Sequence, residues 1–143
     1  MKIRKRHLVE QLNELVQYEY TAAIQYQQHG LMVRGLWRPV LKGLFEESSR
    51  ESFGHAKLLG EKIVALGGVP SVQSHKIEAP EGAEAMLRAD LKLERDALNQ
   101  LLKTINAAEA DVPTRTLLED QAVEEQEHVD ELERILDQVQ KAV

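Results

Sequence analysis

Gly67-Gly68-Val69-Pro70 is the stretch on which the fold of this chain turns. Glycine just past a helix permits a left-handed stop, and the proline beyond it cannot continue the helix. Ala79-Pro80-Glu81-Gly82 reads as the next start, so a connection runs from 67 to 80. A connection of about 14 residues is long enough, when extended, to travel the length of a bundle. Outward from it the punctuation is sparse. Gly30, Gly35, Pro39 and Gly43 fall in one neighbourhood, and Asp111-Val112-Pro113 is a third start with proline at a first helical position. Between these marks Leu, Ala, Glu, Gln and Lys dominate, all good helix formers, and no stretch alternates with period two. The pattern predicts four long helices over 5–34, 37–66, 81–108 and 112–140. Short, long and short connections make the first pair and the last pair antiparallel neighbours. The expectation is an all-α, antiparallel four-helix bundle, a single domain over 1–143, with one crossover between helices two and three.

Composition sets the outer limits. The chain has 143 residues, 43% of them hydrophobic, enough for one core. It has no cysteine, which excludes disulfides, thiolate metal sites, iron–sulfur clusters and cysteine nucleophiles. No apolar run reaches the length of a membrane span, and no uninterrupted apolar segment follows the basic start at Lys2, Arg4, Lys5 and Arg6. The expected location is the cytoplasm, away from any membrane. The net charge of −6, from 24 acidic against 18 basic residues, argues against nucleic acid as the partner.

Each predicted helix carries an apolar stripe that turns polar near its middle. The first reads Leu8, Leu12, Leu15, Glu19, Ala22 and Tyr26 in alternating steps of four and three. The second reads Leu41, Phe45, Ser48, Ser52, His55, Leu59, Ile63 and Leu66. The third reads Leu87, Leu91, Glu94, Leu98, Leu101 and Ile105. The fourth reads Leu118, Ala122, Glu125, His128, Leu132, Ile135 and Val139. One polar residue in a stripe is usually a satisfied core group, and a lone Glu-x-x-His pair is common in a Glu-rich helix. Five interruptions that meet at one level of a bundle are a different matter. Three buried glutamates with no inward Lys or Arg are very costly. Divalent cations held by carboxylate and imidazole would neutralise them, and oxygen and nitrogen ligands without sulfur suit iron or manganese. Glu19 precedes His55 by nearly the separation at which Glu94 precedes His128, which points to a pseudo-twofold site for two metals.

At these residues the chain resembles the bacterioferritin branch of the ferritin-like superfamily, over roughly residues 8–140. The motifs are Glu19-Tyr-Thr-Ala-Ala-Ile-Gln-Tyr26, His55-Ala-Lys-Leu-Leu with Leu66-Gly-Gly-Val-Pro70, Met86-Leu-Arg-Ala-Asp-Leu-Lys-Leu-Glu94, and Glu124-Glu-Gln-Glu-His128. The resemblance implies a ferritin-like fold that binds Fe(II), lets O₂ or H₂O₂ oxidise it, and passes ferric product to a store. It implies Glu19 and Glu94 as terminal carboxylates, His55 and His128 as imidazole ligands, Glu125 as a bridge, and Tyr26 as an electron donor beside the site.

Three departures accompany it. The second bridging carboxylate is expected three residues before His55, where Ser52 stands. Glu51, one residue earlier, would replace it if a single-turn π-bulge eased by Gly54 rotated it inward. Two irons per chain are then expected, and otherwise one, with manganese as the alternative ion. The haem methionine is replaced by Phe53, so no haem is expected. The chain ends just after the fourth helix, which favours a dimer or a smaller shell over a large cage. Leu31, Met32, Leu36 and Trp37 are candidates for that homo-oligomer interface or for the end of the core. Three functions compete: an iron-oxidising store, a di-iron or di-manganese enzyme that reduces peroxide, and a degenerate bundle that binds or scaffolds without metal. His7, His29 and His75 are expected at the surface.

Overall fold

A computed structural model describes residues 3–142, with side chains through Asp137. Met1, Lys2 and the side chain of Val139 lie outside the described residues. The elements are α1 (Ile3–Met32), a short 3₁₀ turn (Gly35–Trp37), α2 (Arg38–Ala65), α3 (Ala83–Ala107) and α4 (Val112–Ala142). These are the four expected helices, and no strand occurs among the described residues. Pro39 sits in the first turn of α2, where its missing N–H costs nothing. None of the helices among the described residues is long and apolar enough to cross a membrane.

The stop after α2 follows the sequence closely. Gly67 takes φ +89°, and the Gly68 N–H donates to the Ile63 carbonyl at 2.9 Å, closing the helix end. Gly68 must also be small, because a Cβ there would lie 2.6 Å from Val9 Cγ1. The chain then runs along α1, pinned by side chains at positions 13, 21, 25 and 29. Asn13 accepts from the Ser71 N–H at 2.7 Å and donates to the Val69 carbonyl at 3.0 Å. Thr21 Oγ1 accepts from the His75 N–H at 2.8 Å, and Gln25 Oε1 accepts from the Glu78 N–H at 3.0 Å. His29 Nε2 bonds the Glu78 carbonyl at 2.7 Å.

His29 therefore corrects an expectation. It is fully buried, not at the surface, because its four-residue ladder from Thr21 and Gln25 faces the crossover. Its Nδ1 lies 2.9 Å from Asp90 Oδ2, and Gln25 Nε2 donates to Asp90 Oδ1 at 2.9 Å. His7 is exposed as expected. His75 is exposed too, with its ring 4.6 Å from that of Tyr18.

α1 packs closely on α2 and α3, and α3 on α4. The core forms two apolar clusters. One, near the α1–α2 turn, includes Tyr26, Leu41, Phe45 and Leu87. The other, near the α3–α4 turn, includes Leu8, Leu12, Ile63 and Leu118. The polar interruptions of the four stripes lie between them. Met32 and Trp37 pack against the first cluster, whereas Leu31 and Leu36 stand out in solvent.

Candidate metal centre

Burial follows the stripes. Glu19, Ser52, Glu94 and Glu125 are buried in the layer between the clusters, and His55 and His128 reach into it with side chains 12% and 27% exposed. Each imidazole is held from both sides. His55 Nδ1 lies 3.6 Å from Glu19 Oε2, and its Nε2 lies 2.7 Å from Glu124 Oε2. His128 Nδ1 lies 3.2 Å from Glu94 Oε2, and its Nε2 lies 2.9 Å from Glu51 Oε2. The pattern repeats across the bundle. Each ring meets the buried glutamate of its own half, and then an outer glutamate from the other half.

The carboxylates dominate the electrostatics. Burial pushes the Glu19 carboxyl up, against the opposing pull of His55. Burial pushes Glu125 well above the carboxylate range, and the charge of Glu94 beside it pushes the same way. Burial also works on Glu94, but its bonds to Glu125 and His128 outweigh it and hold this carboxyl below its ordinary value. Burial and charge thus favour the neutral form of Glu125 beside the Glu94 carboxylate. His55 is raised to about 9 chiefly by the Glu19 carboxylate beside it, and His128 to about 9 chiefly by its hydrogen bond to Glu94. The Tyr26 phenol is kept protonated by burial and by the Glu94 charge, and it donates to Glu94.

A cation fits one half of this layer. Glu94, Glu125 and His128 each offer a ligand atom, all within 4.8 Å of one another. Glu125 Oε1 is buried with no hydrogen-bond partner. A buried acceptor left in that state calls for a partner from outside the side chains around it. In the other half, Glu19 and His55 have no second buried carboxylate, because Ser52 occupies that place.

Glu51 corrects a second expectation. α2 is unbroken α-helix from Arg38 to Ala65, so the π-bulge is absent. Glu51 stays 43% exposed and reaches His128 across the α2–α4 seam, not His55 on its own helix. Regular helical geometry puts residue 52, not 51, on the inner stripe with His55. Glu124 was not among the candidate ligands. Its signal was available, because it precedes His128 by four residues as Glu51 precedes His55. The pair of Gln25 and Asp90 behind Tyr26 was also missed.

Long antiparallel helices, one crossover and a central layer of Glu and His side chains define the class of ferritin-like carboxylate bundles. The comparisons agree. The model of the ferritin-like domain matches residues 9–142. The bacterioferritin of Streptomyces coelicolor is 30% identical over 138 residues, covering 94% of this chain and 82% of that one. The bacterial ferritin of Pseudomonas aeruginosa is 31% identical over 132 residues, covering 90% and 86%. A crystal structure of ferritin-like, diiron-carboxylate proteins from Bacillus anthracis str. Ames superposes with a TM-score of 0.89 at 34% identity, over 95% of this chain and 99% of that one. The chain belongs to the ferritin-like family, among the relatives of bacterioferritin.

Proposed function

We propose that this protein binds Fe(II) in the central layer and oxidises it with O₂ or H₂O₂, for iron storage or detoxification. The observation that carries the reading is the convergence of Glu94, Glu125 and His128, whose ligand atoms all lie within 4.8 Å of one another. The relatives are named bacterioferritin, and the similar crystal structure is described as diiron-carboxylate. The centre of this chain is lopsided. The first Fe(II) binds at Glu94, Glu125 and His128. A second, weaker position is left to Glu19 and His55, since Ser52 brings no charge. Glu51 and Glu124 hold the outer sides of the rings.

The chain's own groups handle the protons. A cation at the site favours the ionised form of Glu125, which burial otherwise opposes. The phenol of Tyr26, bonded to Glu94, stands within reach as an electron donor. With H₂O₂ as oxidant, two Fe(II) give up two electrons, and two protons complete two waters. Manganese is the alternative ion, and Phe53 in the methionine's place favours a haem-free protein. The exposed Leu31 on α1, Leu36 in the 3₁₀ turn and Phe53 on α2 give a homo-oligomer an apolar face.

The test is rapid mixing of Fe(II)-loaded protein with O₂, and separately with H₂O₂, followed by ferric absorbance. Wild type should oxidise iron faster than buffer does, and Glu125→Gln and His128→Ala should not. Equal rates in all three would leave a bundle without this activity. Faster oxidation with H₂O₂ but no ferric iron retained would favour the peroxide-reducing reading.

A further inference from the structure

Among the described residues, the buried side-chain polar atoms without a hydrogen-bond partner belong to Thr114, Gln121 and Glu125. All three lie on one inward stripe of α4, at steps of seven and four. Thr114 is in the first turn, far from the centre. Gln121 is one turn from Glu125, and there both atoms of a side-chain amide are left without a partner. Gln121 is 4% exposed and Glu125 3%. One turn further down stands Leu118, fully buried in the second apolar cluster. Gln121 is therefore the boundary residue between that cluster and the carboxylates.

An apolar side chain would serve better there if packing were the only requirement. A buried amide with neither end bonded is destabilising, and in native proteins such groups find a partner, often an ordered water. Residues four apart on a helix have Cβ atoms about 5–6 Å apart. One water making two hydrogen bonds of about 2.8–3.0 Å joins polar ends on one face that do not bond directly.

We infer that Gln121 is a positioning residue of the metal centre, holding a buried water against Glu125 Oε1. The inference rests on the reading of Glu125 as a ligand. The amide fixes the water, the water fixes the rotamer of the carboxylate, and the other oxygen stays turned toward Glu94 and His128. Partners of this kind, beyond the ligands themselves, set metal affinity by about 10–100-fold.

The test uses the full chain with Co(II) as a spectroscopic probe. Gln121→Met keeps the length of the side chain and removes its polar atoms, and Gln121→Leu is the second variant. The expected result is a Co(II) Kd weakened by about tenfold or more, a changed visible spectrum, and metal-free thermal stability equal to or above wild type. Wild-type Kd and spectrum in either folded variant would overturn the inference. A crystal structure of the metal-free wild type decides independently of the variants. It should show one ordered water within hydrogen-bond distance of both the Gln121 amide and Glu125 Oε1. A direct contact between them, or a dry gap, would overturn it. Failure of wild type itself to bind Co(II) would instead strike at the ligand reading, whatever the water does.

Discussion

His29 with Asp90, and His128 with Glu94 and Glu125, are both buried carboxylate–imidazole groups one or two turns apart on α3 and its neighbours. Only the first is complete. Both nitrogens of His29 are bonded, both oxygens of Asp90 are bonded, and Gln25 closes the set. One carboxyl faces one imidazole, so the pair balances its own charge. In the second, two carboxylates face one ring, and an oxygen of Glu125 has no side-chain partner. A buried polar cluster that satisfies itself holds the fold together, whereas one that does not is built around something else. Here the first locks the crossover, and the second is poised for a cation.

The largest expected effect is at the satisfied cluster. Asp90→Ala or His29→Ala leaves a buried group unpaired and should cost about 3–5 kcal/mol in denaturant unfolding of the metal-free protein. Metal-free Glu125→Gln should stay within about 1 kcal/mol of wild type or exceed it, since it removes a carboxyl that burial disfavours. The same variant should lose Fe(II) binding. A loss of stability in Glu125→Gln as large as that of Asp90→Ala would break the comparison.

A pH series sharpens it. Burial opposes charge on His29, but the Asp90 carboxylate at Nδ1 and the Glu78 carbonyl at Nε2 outweigh it and raise the ring above its ordinary value. A raised imidazole holds its proton more tightly in the folded state. Its contribution is complete below the unfolded value of about 6.5 and is lost as pH rises through the folded value. Unfolding measured from about pH 6 to about pH 9 should show the advantage of wild type over His29→Gln shrinking. A constant gap would mean that the ring is neutral throughout. The smallest effect is at the crossover. Thr21→Val removes the acceptor of the His75 N–H and should cost about 1 kcal/mol, with loss of hydrogen-exchange protection at that amide.

Most of the bundle could be read from the chain. Steps of three and four displayed the stripes, and Gly67-Gly68-Val69-Pro70 displayed the crossover. Glu19, Glu94 and Glu125 were legible because each interrupts an otherwise apolar seam. His29 was not, since it sits in the last turn of α1, where a basic residue is ordinary. The ladder of Asn13, Thr21, Gln25 and His29 was the signal, but it points at a loop, and periodicity says nothing about what a loop brings to a helix. The place of Glu51 was illegible for another reason. Spacing along α2 pairs it with His55, while packing across the α2–α4 seam gives it to His128. Gln121 carries no signal in the sequence, and only burial exposes its unpaired amide.

The central claim is that the unsatisfied cluster is a lopsided cation site. Anaerobic titration of metal-free protein with Fe(II) counts the ions bound per chain. The account predicts one tight Fe(II), lost in Glu125→Gln, and a second tight ion on Ser52→Glu. Two equally tight ions in wild type, or none at all, would contradict it.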